Sequence, residues 1–231
     1  MPSLRFVNLR GLQDYIPLLR AQHRLITARR EGMLASDVAL VLEHAPVFTL
    51  GRNATREHLK VPETFLTERG IRVVRAERGG DITYHGPGQV VAYLIFDLRA
   101  ARVRVPDYIS RLEEAMIRTA RDFGVPAGRN PLNPGIWVGN RKLGSIGIAV
   151  RHGIAYHGLA INVNLFLEPF TWIHPCGLAG VSMTSLKEEN GRDIKIEDVK
   201  SALSGHLGDL FEGHRVAEET MRSLGEITIQ P

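Results

Sequence analysis

The strand-forming segments of this chain come mostly in adjacent hairpins rather than in regular alternation with helices. That order favours an α+β protein, a mixed and mostly antiparallel β-sheet packed by helices, over a doubly wound parallel sheet. At 231 residues the chain is long enough to bury a sizeable core, as one large domain or two small ones. Leu4 to Leu9 reads as a short strand. Asp14 is placed to cap a helix from Tyr15 to about Glu31, with Pro17 in its first turn and Gly32 as the stop. Ile16, Leu19, His23 and Ile26 mark its expected inner face. Arg20, Arg24, Arg29 and Arg30 make the rest basic, which reads most simply as a solvated face and otherwise as a docking face for an acidic carrier. Asp37 to Glu43, Val47 to Leu50 and Ile71 to Ala76 read as strands, with a short helix between Pro62 and Gly70. The strongest apolar strand is Gln89 to Asp97. Pro106 opens an amphipathic helix with Ile109, Leu112, Met116 and Ala120 on one face, stopping at Gly124. Gly135 to Val138 and Lys142 to Val150 form a hairpin turning at Gly139-Asn140. Ile154 to Val163 is a further strand, Ile194 to Phe211 a helix capped by Asp193, and Glu226 to Ile229 a short terminal strand. Strand signals give way to helix after about Thr184, which allows a small C-terminal subdomain.

Bulk properties exclude several classes. No apolar run approaches the roughly 20 residues of a membrane span, and Met1 to Arg10 lacks the layout of a signal peptide. A single cysteine leaves no internal disulfide, so a cytoplasmic location is the default. The net charge of +4 suits an acidic partner or an ordinary soluble protein. The basic residues are dispersed, with no stripe interleaved with aromatics, which argues against nucleic acid.

Three segments hold residues that are costly for structure and useful for chemistry. The first is Arg78-Gly79-Gly80-Asp81-Ile82-Thr83-Tyr84-His85-Gly86-Pro87-Gly88-Gln89. Its glycines permit close approach of backbone to a ligand, and exposed N–H groups there suit a carbonyl or carboxylate oxygen. A tight turn with a core-satisfied histidine explains it equally well, and the pattern matches no phosphate-binding loop. The second is Asn140-Arg141-Lys142-Leu143-Gly144-Ser145-Ile146-Gly147. Uninterrupted strand alternation puts Lys142, Gly144, Ile146 and Ile148 on one face. A buried lysine there suits a base or an anion partner, although spacing alone favours a strand-end lysine pointing to water. The third is His174-Pro175-Cys176-Gly177. A lone cysteine is most often a small buried hydrophobe, but this one stands between proline and glycine in a loop. A thiol is the natural nucleophile for acyl exchange between thioesters, given a base or cation nearby. Lys142, His85 and His174 are the candidates. Finally, Gly158 and Ala160 in Tyr156-His157-Gly158-Leu159-Ala160-Ile161-Asn162-Val163 leave room for a slender apolar ligand or for a crossing helix.

Taken in order, these segments together with His44-Ala45-Pro46-Val47-Phe48-Thr49-Leu50-Gly51-Arg52 closely resemble the octanoyltransferases (lipoyl/octanoyl transferases) that make protein-bound lipoate, over roughly Glu43 to Leu186. The resemblance implies one catalytic domain over residues 1–231, similar in fold to the biotin and lipoate protein ligases, with a small helical C-terminal part from about residue 185. It implies that Cys176 attacks the octanoyl thioester of acyl carrier protein, that Lys142 lowers the thiol pKa and moves protons, and that a lysine of a lipoyl domain takes the acyl group as an amide. The acceptors implied are the lipoyl domains of 2-oxoacid dehydrogenases and the glycine cleavage H protein. Arg78 through His85, Ser145, Ile146, Gly147, Gly158, Leu159 and Ala160 are then expected around the acyl chain, and backbone N–H groups around the carbonyl. No cofactor, metal, nucleic acid or membrane is implied, and a monomer is expected. The departures are small: His174 stands where asparagine is common, Leu143 where isoleucine is common, and Ala45 where proline is frequent. Two rival readings are an ATP-dependent lipoate or biotin ligase on the same fold, which needs no cysteine, and a non-catalytic protein that binds acyl chains or lipoyl domains.

Overall fold

A computed structural model of the chain describes residues 3–131, 133–174 and 181–211. Among these residues the strands form two sheets. The larger has the order β1 (Leu4–Gln13), β2 (Asp37–His44), β6 (Gln89–Asp97), β9 (Ile154–Asn162), β8 (Arg141–Arg151), with β7 (Gly135–Val138) on β8 and β10 (Ser182–Met183) continuing the sheet at the start of β8. The smaller has the order β4 (Arg72–Arg75), β3 (Val47–Leu50), β5 (Ile82–His85). Pairings are antiparallel except β1 with β2, β3 with β4 and β8 with β10. This is the mixed, mostly antiparallel α+β architecture expected from the hairpin spacing.

The central strands are buried on both faces because helices cover both. On one face α1 (Tyr15–Arg30) sets Leu18, Leu25 and Ile26 against Leu40, Leu42, Val91, Ile95 and Tyr156. On the other, α3 (Val105–Asp122) and α5 (Ile196–Phe211) bring Leu112, Met116, Leu203 and Leu207 to Ala39, Val41, Ala92, Leu94 and Ile161. Leu186, at the start of a short α4 (Leu186–Asn190), is buried in this same core. Residues 186–211 thus share their apolar contacts with α3. A third cluster, including Phe48, Leu66, Tyr84 and Phe170, packs the small sheet together with α2 (Glu63–Thr67).

Several boundaries differ from expectation for identifiable reasons. β1 runs on to Gln13, past Gly11 at φ +68°, through a register shift that lets it follow β2. The buried stripe of α1 is Tyr15, Leu18, Gln22 and Leu25, not Ile16, Leu19 and His23. Adjacent pairs such as Leu18-Leu19 and Leu25-Ile26 draw two apolar stripes on the helix. The choice falls on the one containing Gln22, whose Oε1 accepts the His157 backbone N–H at 2.9 Å. Part of the glycine-dense segment is strand, since residues 82–85 pair antiparallel with residues 47–50. α4 and β10 carried no recognisable signal, and Glu226 to Ile229 lies outside the described residues.

Candidate active site

A cavity of about 300 Å³ opens where the 78–81 loop meets the outer edge of β8. That volume is at the small end of what small-molecule sites occupy, roughly 300–1,000 Å³. β7 pairs with β8 only as far as Ser145, and beyond it the loop takes over, with the Gly79 N–H donating to the Ile148 carbonyl at 2.8 Å. The walls include Arg78 to Thr83, His85, Lys142, Ser145 to Ile148 and His157 to Ala160. All the expected binding residues are therefore brought together with one exception. Tyr84 points the other way across β5 and packs its ring on Phe48 and Phe170, at centroid distances of 5.1 and 5.9 Å. Strand alternation between Thr83 and His85 requires this.

Lys142 reaches the cavity by a route that simple alternation misses. Opposite β7, Ile136 faces Gly144 but Trp137 faces Lys142, so Leu143 is the extra residue of a β-bulge. Leu143 lies in the core shared with α3 and α5. A Cβ on Gly144 would also point there, meeting Met116 and Ile136. Lys142 is thereby turned to the opposite face, out of phase with Ile146 and Ile148 and in phase with Ser145. The residue is 1% exposed. Its Nζ donates a hydrogen bond to Asn133 Oδ1 and lies 5.1 Å from the centre of the Trp137 ring.

The loop opposite is fixed by its own side chains. Arg78 is buried, with Nη2 donating to the carbonyl and hydroxyl oxygens of Thr49 at 2.7 and 2.8 Å. Asp81 Oδ1 accepts from the Ile82 N–H at 2.7 Å and lies 2.7 Å from His58 Nδ1. Gly147 suits this packing, because a Cβ there would sit 3.0 Å from Arg78 Cδ and 3.3 Å from the Gly79 carbonyl oxygen.

Three buried histidines stand in or behind these walls. His44, beside the cavity, has Nδ1 2.8 Å from the Gln13 carbonyl and Nε2 2.8 Å from the Tyr93 hydroxyl. A carbonyl only accepts, so Nδ1 holds the proton and Tyr93 donates to Nε2. Burial pulls His44 down to about 4. His85 is held down at about 3, by burial first and by His44 next. His157 is also at about 3, through burial and then Arg78. Its backbone has φ +58°, and neither ring nitrogen has a hydrogen-bond partner among the described residues. Burial pushes the Tyr15 hydroxyl up to about 12.

Sequence reasoning missed Tyr15, Arg52, Tyr93, Ile109, Asn133, Pro134, Ile148 and His157 as cavity residues. Ile109 and Ile148 had been placed on the correct elements, and His157 lies within a segment already singled out. Asn133 sits in the turn-rich Asn130-Pro131-Leu132-Asn133-Pro134-Gly135, which signals a loop but no chemistry. Cys176 lies outside the described residues. Both neighbouring stretches are tied to the site. The His174 N–H donates to the His58 carbonyl at 2.8 Å, and His58 in turn contacts Asp81. On the far side the Thr184 N–H donates to the Lys142 carbonyl at 3.0 Å. The His174 side chain is exposed. Among the described residues no group of three His, Cys, Asp or Glu side chains is arranged to hold a metal, and no helix is long and apolar enough to cross a membrane.

Comparison with known proteins agrees with this geometry. The family described as the lipoyl protein ligase A/B catalytic domain matches residues 14–208. An octanoyltransferase of Desulfotalea psychrophila is 49% identical over 203 residues, covering 87% of this chain and 91% of the relative. An octanoyltransferase of Syntrophobacter fumaroxidans is 44% identical over 202 residues, covering 87% and 88%. Among solved structures, a lipoate-protein ligase A bound with ATP superposes with a TM-score of 0.72 at 17% identity, covering 98% of this chain and 93% of that one. That likeness speaks for the fold, whereas the sequence relatives cover nearly the whole catalytic unit at far higher identity. The chain therefore belongs to the lipoyl protein ligase A/B catalytic domain family and, within it, to the octanoyltransferases.

Proposed function

We propose that this protein transfers an octanoyl group from acyl carrier protein to a lysine of a lipoyl domain through an acyl-enzyme on Cys176. The observation that carries this reading is the anchoring of the stretches on either side of Cys176, one to Lys142 in the cavity wall and the other to His58, which contacts Asp81 of that wall. In the first half-reaction the Cys176 sulfur bonds to the thioester carbonyl carbon, the carbon–sulfur bond to the carrier breaks, and the carrier thiol leaves with a proton. In the second, the acceptor amine bonds to the same carbon, the bond to Cys176 breaks, and the thiol is regenerated as the amide forms. Lys142 favours the thiolate and moves the protons. The octanoyl chain lies along Ser145 to Gly147 and Gly158 to Ala160, facing the Arg78 to His85 wall. Thioester to amide is downhill, so no nucleotide is consumed.

Incubation with octanoyl carrier protein, followed by intact-mass and peptide mass spectrometry, tests this. The expected result is one octanoyl group on Cys176 that is lost when a lipoyl domain is added. Turnover by a Cys176→Ala variant, or loading that requires Mg-ATP and free octanoate, contradicts it.

A further inference from the structure

A line of buried side-chain hydrogen bonds crosses the end of the large sheet behind the cavity. Asn162 Nδ2 donates to the Thr184 carbonyl at 2.9 Å, and Asn162 Oδ1 accepts from Gln89 Nε2, also at 2.9 Å. Gln89 Oε1 lies 2.7 Å from His85 Nδ1. Asn162 and Gln89 face each other across β6 and β9, and both are almost completely buried.

Two fixed points orient this line: the Thr184 carbonyl at its end, and the Tyr84 carbonyl, which accepts from Gln89 Nε2 at 3.3 Å. The Thr184 carbonyl can only accept, so the Asn162 amide nitrogen must face it and Oδ1 must face Gln89. Gln89 must then offer its nitrogen to Asn162, which leaves its oxygen for His85. His85 therefore carries its proton on Nδ1, and Nε2 keeps a lone pair on a residue that lines the cavity. The other end of the line is equally consequential. β9 pairs with β8 only from Gly144 onward, and β10 takes its place opposite Arg141 and Lys142. Asn162 is the last residue of β9 and bonds Thr184, whose own N–H holds the Lys142 carbonyl. Two amides in series, Gln89 and Asn162, thus join the cavity wall at His85 to residue 184 beside the Lys142 strand.

We propose that Asn162 is a positioning residue for acyl transfer: it holds residues 182–184 on the Lys142 strand and, together with the Tyr84 carbonyl, orients Gln89 against His85. The proposal rests on the Cys176–Lys142 reading above. The test is the pH dependence of Cys176 alkylation by iodoacetamide, alongside steady-state octanoyl transfer, in full-length variants. Asn162→Asp keeps the shape but, ionised, cannot donate to the Thr184 carbonyl. It is expected to slow alkylation at pH 7 about tenfold, displace the profile to higher pH, and lower kcat tenfold or more with KM for the carrier within about twofold. Asn162→Ala removes both bonds without adding charge, and it is to give the same displaced profile. A native alkylation profile or native kcat in either variant, with native circular dichroism, overturns the proposal. Lys142→Met separates the two levels. If it leaves the profile of the otherwise native protein unmoved, the Cys176–Lys142 reading fails whatever Asn162 does.

Discussion

Lys142 and Asn133 carry the sharpest consequence at the residue scale. An ammonium withdrawn from water is costly unless polar groups replace its hydration. Here an amide oxygen and an indole face do so. On the proposed mechanism the neutrality of Asn133 matters, because a carboxylate in its place would compete for the ammonium that favours the Cys176 thiolate. Asn133→Asp is therefore expected to slow Cys176 alkylation at pH 7 by about tenfold and to move its profile upward. Asn133→Ala, which only removes an acceptor, should have a smaller effect. Stopped-flow alkylation across pH 6 to 10 measures both, and a faster reaction in Asn133→Asp would show that the lysine does not set the reactivity of the thiol. His157 is a second residue whose setting costs stability. An L-residue at φ +58° whose two buried ring nitrogens have no hydrogen-bond partner among the described residues carries strain on the order of 1–3 kcal/mol. The Gln22 side chain holds that conformation by accepting the displaced N–H.

At the scale of elements, two glycines in neighbouring strands meet different obstacles and should fail in different ways. A Cβ on Gly158 would lie 2.1 Å from the Ala92 carbonyl oxygen, which belongs to the adjoining strand and cannot swing aside. Gly158→Ala is thus expected to destabilise the fold by about 2–4 kcal/mol, read as a lower urea midpoint. On Gly147 the nearest atom is Arg78 Cδ at 3.0 Å, on a side chain anchored by Thr49. Gly147→Ala should shift the 78–81 loop and depress octanoyl transfer more than it depresses stability. A Gly147→Ala protein with native transfer rates would show that the loop is not a wall of the working site. These contrasts also mark how far the sequence could be read. The β7–β8 hairpin and β6 were legible because turn residues and apolar runs bound them clearly. The bulge at Leu143 was not legible, since no residue type there announces an extra residue. It is this bulge that turns Lys142 into the cavity. β5 was hidden because glycines on both sides made the whole segment look like loop. The smallness of Gly158 had been assigned to a ligand or a crossing helix. Gly158 does line the cavity, and the missing Cβ also spares the backbone of β6, beside the pleat disturbed by His157.

Across the whole molecule, three buried histidines from three different elements gather at the same cavity: His85 on β5 and His157 on β9 line it, and His44 on β2 stands behind Tyr93 and His85. Burial lowers each one, to about 4 for His44 and about 3 for His85 and His157. Their charged neighbours, chiefly Arg78 with Glu77 and His23 around His157, do not reverse that direction. In the unfolded chain each imidazole titrates near 6.5. Below that pH the unfolded state takes up protons that the folded state refuses, so acid favours unfolding. The stabilisation is complete above about pH 6.5 and is lost as pH falls toward the folded values. The slope approaches about 1.4 kcal/mol per pH unit for each histidine. Asp37, whose carboxyl is raised by burial, works in the opposite sense at the acid end. Three such groups acting together rival the 5–15 kcal/mol that holds an ordinary domain folded. The urea midpoint should be flat between pH 7 and 8 and fall steeply between pH 6.5 and 5. His44→Gln, which retains an amide donor and an acceptor for Gln13 and Tyr93, should reduce that slope by about a third. A midpoint unchanged down to pH 5 would mean that these rings accept protons without unfolding the protein, and that the cavity admits far more water than its walls suggest.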